Sequence, residues 1–350
     1  MRLIPHHPYA RSGILALAAS FFLAGALPLC AQKTDILVLY QGDSITGEVK
    51  ELNRGKLSYK TDHMGTLSVK WDKVAHLTST NYFDVVDRYG ARHFGQLAAS
   101  EEPGQLLIIL ADTVRVRMID LVAMSRIRAD FWSRLDGYVD IGFDFQKAKR
   151  NRQLNSSALV KYRTQRWASQ VSGTTYYQRQ EGTDGTSRND LGLLGQRLFG
   201  NHWSALAFAS FEQNQEISLD LRQTYGLGAT REVVHSNALI FQIVGALAYA
   251  NEKFATAEGA TNTIQVPISA DFAFFRFDSP KTDVTASLTV TPILTDLGRW
   301  RMDFSTRLSY ELISDFTIGF RFFDNFDSRS PSGTGSTNDY GLTFSIGYTF

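Results

Sequence analysis

The chain ends in Tyr340-Gly341-Leu342-Thr343-Phe344-Ser345-Ile346-Gly347-Tyr348-Thr349-Phe350, where bulky apolar residues alternate with small or polar ones. Successive side chains of a β-strand point to opposite sides, so the bulky residues of this segment all share one side. The pattern predicts the closing strand of an outer-membrane β-barrel, with lipid on one side and the lumen on the other. Taken alone, the segment also fits an amphipathic edge strand of a soluble sandwich.

The chain from Leu135 onward repeats this pattern in longer runs, of about the length that crosses a bilayer at a steep tilt. A soluble sandwich usually has strands of about five or six residues, so the length favours a membrane barrel. We predict about twelve strands: Leu135 to Lys147, Leu154 to Arg166, Trp167 to Gln180, Ser187 to Leu198, Trp203 to Glu216, Ser218 to Gly228, Ser236 to Ala250, Asn262 to Phe277, Thr282 to Leu294, Trp300 to Glu311, Phe316 to Phe326 and Asn338 to Phe350.

The connections between these strands alternate in length, as barrels with long external loops and short periplasmic turns require. The predicted external loops are 181–189, 251–261 and 327–337, and the predicted inner turns are 166–167, 199–202, 278–281, 312–315 and an unusually long 229–235. Trp132, Trp167 and Trp203 then fall near the periplasmic interface and Trp300 at the opposite rim. This placement predicts an aromatic girdle, with buried core tryptophans as the alternative.

The N-terminus has the layout of a secretory signal, which we assign to residues 1–31. Arg2 and Arg11 precede an apolar run from Ile14 to Leu29, followed by small residues. The alternative is a lipoprotein that is lipidated at Cys30, but the preceding residue, Leu29, is bulky, and lipidation needs a small residue at that position. Because Cys30 is the only cysteine, the exported chain would contain no disulfide, cysteine nucleophile or thiolate metal site.

Between the signal and the barrel, short alternating runs with Gly and Asn turns are typical of small β-domains. At an offset of forty-eight residues the pattern recurs in four places: Gly42 with Gly90, Gly47 with Gly95, Asp72 with Asp120, and Val74-Ala75 with Val122-Ala123. We predict an all-β chain with two tandem SH3-like or Sm-like domains, at 33–80 and 81–128, before a transmembrane antiparallel barrel at 134–350.

Three segments of the N-terminal region carry a family resemblance: Gln41-Gly42-Asp43-Ser44-Ile45-Thr46-Gly47-Glu48-Val49, Gly55-Lys56-Leu57-Ser58-Tyr59-Lys60-Thr61 and Leu67-Ser68-Val69-Lys70-Trp71-Asp72-Lys73-Val74-Ala75. With the terminal Gly347-Tyr348-Thr349-Phe350, they resemble the YdiY-like family of salt-induced outer membrane proteins, which contains the domain of unknown function 481. The resemblance covers the exported chain, although alternating barrel strands look alike across families. It implies location and architecture, and it assigns no catalytic residue because none is established for the family.

The sequence offers little for catalysis. The barrel region has two histidines, His202 and His235, which we interpret as solvated residues of inner turns, and no Gly-x-Ser-x-Gly motif accompanies them. His63, His76 and His93 are too scattered for a metal site. We therefore expect no enzyme activity and no catalytic, cofactor or metal site.

The charged residues that alternate with apolar residues along the predicted strands are expected to face the lumen: Asp136, Asp140, Asp144, Lys161, Arg163, Arg301, Asp303, Arg307 and Glu311. They form either a selective lumen or, as we favour, a self-neutralising network that fills a narrow barrel. Phe272 and Phe274 share the parity of an apolar row and are expected to face lipid rather than a ligand pocket.

These observations predict a non-enzymatic protein of the bacterial outer membrane with a periplasmic N-terminal region. Its expected role is envelope integrity or passage of small solutes, since the nearly balanced charge, +1 overall, argues against nucleic-acid binding. The expected partners are outer-membrane lipid and the barrel-assembly machinery, which would read the C-terminal strand through Tyr348 and Phe350. The alternatives are a barrel-anchored adaptor for peptidoglycan or an envelope protein and, less well supported, a lipid hydrolase.

Overall fold

The computed structural model describes residues 33–127, 131–147, 151–180, 182, 185–215, 218–255, 259–329 and 338–349. The predicted signal peptide and Phe350 lie outside these ranges. The described chain is nearly all-β, with single turns of 3-10 helix at Trp71–Lys73, Met118–Asp120 and Trp132–Arg134. No helix within the described ranges is long and apolar enough to cross a membrane.

Residues 33–127 form the N-terminal module, a 9-stranded antiparallel sheet. The strands are β1 (Asp35–Leu39), β2 (Ser44–Asn53), β3 (Lys56–Lys60), β4 (Thr66–Lys70), β5 (Val74–Asp87), β6 (Arg92–Ala99), β7 (Gln105–Ile109), β8 (Thr113–Arg117) and β9 (Leu121–Ile127). Their order in the sheet is β4-β3-β2-β1-β5-β6-β7-β8, and β9 pairs with both β2 and β5.

The module is built twice on one plan, in which four strands and a 3-10 turn lead into a fifth strand. Gly42 and Gly90 both occupy the left-handed region, with φ of 95° and 81°. Further along the chain the offset between equivalent positions of the two halves is one residue shorter, because the 3-10 turns begin at Trp71 and Met118. Strand β5 runs through positions 80 and 81, where we predicted a domain boundary, and belongs to both halves of one sheet.

A single apolar core joins the two halves of the module. Trp71 is 2% exposed, as expected, although it starts a 3-10 turn and does not continue strand β4. Its indole Nε1 donates to the carbonyl of Met118, 2.6 Å away in the other half. Asp35 is also buried and accepts hydrogen bonds from the Val49 amide and the Ser79 hydroxyl. The two halves therefore share both apolar contacts and a buried hydrogen bond.

The rest of the chain forms a 13-stranded antiparallel sheet with the strand lengths and neighbour order of a large β-barrel. The strands are β10 (Leu135–Gln146), β11 (Asn151–Arg163), β12 (Trp167–Arg179), β13 (Thr186–Leu198), β14 (Trp203–Asn214), β15 (Leu219–His235), β16 (Leu239–Phe254), β17 (Ala260–Gln265), β18 (Ile268–Arg276), β19 (Thr282–Pro292), β20 (Trp300–Ile313), β21 (Phe316–Asp327) and β22 (Asn338–Tyr348).

Two sequence-based strand assignments need correction. The predicted strand from Asn262 to Phe277 is broken at Val266-Pro267 into β17 and β18, which both pair with β16. Proline has no amide hydrogen for a ladder, which explains the break. The predicted long inner turn at 229–235 is instead strand: β15 continues to His235, and the turn is only 236–238.

The ladders place alternate residues on two faces of this sheet. One face, the polar face, carries cross-strand neighbours such as Asp136 with Lys161 and Arg301 with Asp327. The other, the apolar face, carries pairs such as Phe320 with Phe344. Phe344 is 60% exposed. Within the described ranges no ladder connects β10 to β22, so these strands are the two ends of the sheet.

Candidate functional site

The N-terminal module contacts the barrel sheet along the turns at one end of its strands. We call residues 163–166, 199–202, 236–238 and 275–283 the inner rim. Contacts with the module occur in each of these four ranges, which join different pairs of strands. The module therefore touches the sheet at several separated points along this end.

The turn between β2 and β3 reaches the inner rim through Arg54. Its guanidinium Nη2 lies 2.8 Å from Asp283 Oδ2, and its Cζ lies 4.5 Å from the ring centroid of Phe275. Phe275 is 1% exposed. An arginine over a buried aromatic face gains cation–π attraction in addition to its ion pair. Two interactions thus hold this turn against β18 and β19.

Beside Arg54, Gly55 makes a contact that only glycine permits. Its φ is 68°, and a Cβ built there would lie 2.6 Å from the carbonyl oxygen of Asn237. The Asn237 side-chain amide donates to the carbonyl of Leu121 in the module at 2.9 Å. The close backbone approach at Gly55 and this hydrogen bond fix the turn between β15 and β16 against the module.

Gly90 packs in the same way against the turn between β13 and β14. With φ of 81°, a Cβ at this position would come within 2.6 Å of the His202 ring carbon Cδ2. The Asn201 amide donates to the Gly90 carbonyl at 3.1 Å, and His202 Nε2 lies 3.2 Å from the Arg88 carbonyl oxygen. The repeated glycine of the module is thus a contact point for the barrel.

Charged pairs flank these contacts. Asp84, 2% exposed, binds Arg92 of the module and also accepts a hydrogen bond from Arg163, 3.3 Å away at the end of β11. At the other side, Lys70 pairs with Asp278. The hydrogen bond and charge of Lys70 hold the pKa of the Asp278 carboxyl below its usual value.

Three candidate metal ligands meet where the inner rim joins the end of β15: His202, Glu232 and His235, the only such group among the described residues. The Nδ1 atoms of His202 and His235 lie 3.3 Å and 3.0 Å from the same carboxylate oxygen, Glu232 Oε2. The histidine side chains are only 10% and 12% exposed, so their interpretation as solvated turn residues was wrong. A cavity of about 350 Å³ between module and barrel adjoins all three residues.

The electrostatics of this cluster favour an ionised carboxylate. Burial would raise the pKa of Glu232, but hydrogen bonds and charge from His235 and His202 outweigh that effect and lower it. A negative oxygen therefore lies between two imidazole nitrogens. The cluster has the composition of a cation site or of a shared-proton network.

A second charged group lies on the polar face near the opposite end of the strands. Arg222 Nη1 lies 2.8 Å from Glu212, and its Nε lies 2.8 Å from Glu252. Arg301 approaches Glu252 at 3.6 Å. Glu252 is 3% exposed, and a charge buried in this way requires nearby opposite charges. Arg222 and Arg301 supply them. This group matches the self-neutralising alternative for that part of the polar face.

The register places all nine predicted lumenal charges on the polar face but does not bring them together. Arg301 joins the arginine–glutamate group, whereas Arg163 contacts the module and Glu311 binds Lys281 beside the inner rim. Arg307 lines a cavity of about 460 Å³ with Asp271 and Arg321. Asp136, Asp140 and Asp144 follow β10 at the end of the sheet, with Lys161 opposite Asp136, and Asp303 lies opposite Asn325.

The four predicted girdle tryptophans, Trp132, Trp167, Trp203 and Trp300, are all exposed. Trp167 and Trp203 begin strands at the inner rim and stack with Arg197 and Arg231, whereas Trp300 begins β20 at the opposite end. Tyr348 of the predicted assembly signal is exposed on the apolar face, and its companion Phe350 lies outside the described residues. Phe272 also lies on the apolar face, opposite Ala286.

Sequence reasoning missed most residues of the inner-rim contact, including Arg54, Asp84, Glu232, Asn237 and Asp283. Arg54-Gly55 was recognisable as a two-residue hairpin turn, but a turn does not reveal what it touches. Glu232 stands three residues before His235, a spacing visible in the sequence. Its role depends on His202, which a different turn supplies.

Comparison with known proteins places the barrel sheet in a family. The family model described as "Protein of unknown function, DUF481" matches residues 139–350. No curated protein matches the chain. Among solved structures, a bacterial polysaccharide outer membrane secretin is similar over 77% of this chain and 96% of its own, with 9% identity and a TM-score of 0.34.

Proposed function

The chain belongs to the DUF481 family of proteins of unknown function, and we propose that it is a non-enzymatic outer-membrane β-barrel protein whose periplasmic module covers one mouth of the barrel. In this proposal the barrel anchors the module in the membrane and contributes to envelope integrity. The observation that carries the proposal is the contact of the module with four separate parts of the inner rim.

The apolar face supports a membrane location for the sheet. Large side chains on this face of β10 and β22 are mostly exposed, including Ile141, Phe143, Leu342, Phe344 and Ile346. Such a wide exposed apolar surface is unusual for a soluble monomer and normal for a lipid-facing barrel wall. The polar face on the same strands would then line the interior.

The inner rim supports a periplasmic position for the module. The turns of the inner rim are short, as at 164–166 and 236–238, whereas the opposite connections include 180–185 and 328–337. Bacterial barrels have short periplasmic turns and longer external loops. The module is on the side of the short turns, which is the periplasmic side under this rule.

Passage of small solutes is a second candidate, favoured by the cavity at Arg307. This cavity of about 460 Å³ is lined by residues from β16 to β21, the polar Gln242, Asp271, Ser287 and Arg321 together with apolar residues such as Phe272. In that case the module would act as a gate, and its release from the inner rim would open the path.

Single-channel conductance of the purified full chain in a planar bilayer tests both candidates. We expect no steady conductance from the wild type. The variant Arg54→Ala/Lys70→Ala weakens two rim contacts. The matched control Arg117→Ala/Lys50→Ala also removes one arginine and one lysine, but their ion-pair partners, Asp120 and Glu48, belong to the module itself.

The outcomes separate the two roles. Conductance that appears only in the rim variant favours a gated solute path, and silence in all three proteins favours the anchor. A large, steady conductance in the wild type would overturn the proposal that the module covers the mouth.

A further inference from the structure

His202, Glu232 and His235 form a cluster of possible metal ligands. Its three candidate ligand atoms all lie within 4.8 Å of one another. They come from two separate segments, because His202 lies in the turn after β13 whereas Glu232 and His235 lie in the last residues of β15. The side chains line a cavity of about 350 Å³, so an ion and a water molecule have room beside them.

The module orients the His202 ring. Its Nε2 lies 3.2 Å from the Arg88 carbonyl oxygen, which can only accept a hydrogen bond. Nε2 therefore carries a proton, and in the neutral ring Nδ1 presents a lone pair. Metal-binding histidines are oriented by this kind of hydrogen bond from the other ring nitrogen to a carbonyl oxygen.

The lone pair of His202 Nδ1 faces another acceptor, Glu232 Oε2, at 3.3 Å. Two acceptors attract each other only through a positive centre between them, either a proton or a metal ion. His235 Nδ1 approaches the same oxygen at 3.0 Å. Satisfying the contact of His202 with protons alone requires a ring protonated on both nitrogens, whereas one divalent cation satisfies all three side chains.

The distances fit a small tetrahedral ion. Zinc bonds of about 2.0 to 2.1 Å place neighbouring ligand atoms about 3.3 Å apart in a tetrahedron. The distances from Glu232 Oε2 to His235 Nδ1 and His202 Nδ1, 3.0 Å and 3.3 Å, are close to this value, and all three ligand atoms lie within 4.8 Å of one another. Two imidazoles and one carboxylate suit zinc and its transition-metal neighbours, whereas calcium and magnesium prefer oxygen ligands alone.

We propose that His202, Glu232 and His235 bind a divalent transition-metal ion, with Zn²⁺ as the best match, and that the ion stabilises the docked module. Binding fixes the His202 ring, which packs on Gly90 and holds the Arg88 carbonyl. The coordination is independent of the proposed function, and only the effect on the module rests on it.

The test uses untagged full-length protein in detergent, stripped with a chelator and then titrated with ZnCl₂. We expect one tightly bound zinc per chain by calorimetry and elemental analysis. His202→Ala and His235→Ala are each expected to weaken binding at least about tenfold, as is Glu232→Gln. The exposed His63 of the module is the matched control, and His63→Ala is expected to bind like the wild type.

A second measurement on the wild type covers the case in which a variant does not fold. Cobalt at the site is expected to give the visible absorption of a tetrahedral nitrogen–oxygen complex. Absence of that spectrum, less than one zinc per chain, or unchanged binding in the folded His202→Ala variant would overturn the site.

Hydrogen exchange of residues 88–92 tests the effect on the module. We expect zinc to slow exchange there in the wild type and to have no effect in His202→Ala. Zinc that binds without slowing exchange would overturn the coupling to the module. Neither readout depends on conductance, so a failure of the metal site is distinguishable from a failure of the proposed function.

Discussion

The guanidinium of Arg54 and the carboxylate of Asp283 lie 2.8 Å apart, although 229 residues separate them in the chain. Arg54 occupies a hairpin turn of the N-terminal module, and Asp283 lies at the start of β19 in the barrel sheet. This pair and the stacking of Arg54 on buried Phe275 make the β2–β3 turn a defined docking element.

We predict that Arg54→Ala loosens the module from the inner rim by about 1 to 2 kcal/mol, because it removes a partly exposed ion pair and a cation–π contact. A double-mutant cycle with Asp283→Ala, followed by hydrogen exchange of the β2–β3 turn, measures the coupling. Additive effects of the two substitutions would mean that the pair does not contribute to docking.

We predict that Phe344→Arg impairs membrane assembly far more than Ser345→Arg. Phe344 lies opposite Phe320 on the apolar face, and Ser345 lies opposite Gly319 on the polar face. An arginine against lipid costs roughly 2 to 4 kcal/mol near the bilayer midplane, whereas one on the lumenal side avoids this cost. Folded yield in the outer-membrane fraction is the measurement. An equal loss in both variants would refute the assignment of faces.

We predict that β10 and β22 pair with each other in the membrane and close the barrel. An unpaired strand edge cannot be satisfied in lipid, where no water replaces the missing hydrogen bonds. The closed form resists detergent, so unheated protein is expected to migrate differently from boiled protein in electrophoresis. Identical mobility, together with solubility in the absence of detergent, would contradict a membrane barrel.

We predict that a segment from Lys33 to Ile127 folds without the barrel. It contains the whole core cluster of the module, and Trp71 is its only tryptophan. Circular dichroism should show a β-sheet with cooperative unfolding, and tryptophan emission should be blue-shifted because the indole is buried. Emission at the solvent-exposed position would show that the module depends on the inner rim for its fold.

We predict that the stability of this module falls above about pH 10, where tyrosine ionises in the unfolded chain. Burial, and next the charge of Asp35, raise the pKa of Tyr59 in the folded module. The resulting stabilisation is present below the unfolded pKa and is lost as the pH rises from there through the folded pKa. Urea unfolding at about pH 8 and about pH 10.5 measures the loss.

Tyr59→Phe should remove this alkaline dependence. It should also cost about 1 kcal/mol at neutral pH, because the hydroxyl of Tyr59 has the carbonyls of Asp35 and Ile45 as acceptors. Tyr40→Phe, at an exposed tyrosine, is the control and should keep the wild-type profile. An unchanged alkaline loss in Tyr59→Phe would assign the effect to another group.

The sequence alone determined the all-β class, the strand-rich C-terminal region and the two faces of its strands. These are local properties: a period of two fixes which residues share a face wherever the strand lies, as for Phe344 and Ser345. It also predicted the burial of Trp71, because a large aromatic among alternating apolar residues is rarely left in water. The break at Pro267 follows from a local rule that the strand assignment overlooked, whereas the extension of β15 to His235 depends on its pairing with β16 and was not predicted.

Only the tertiary structure decided where the module meets the barrel and which polar groups meet there. Arg54 contacts Asp283, and His202 contacts Glu232, because separate turns and strand ends lie side by side at one end of the sheet. Contacts between distant segments depend on the order and register of every intervening strand, and no local period encodes them. His202 therefore looked like a solvated turn residue in the sequence, although in the folded chain it lies between the module and the carboxylate of Glu232.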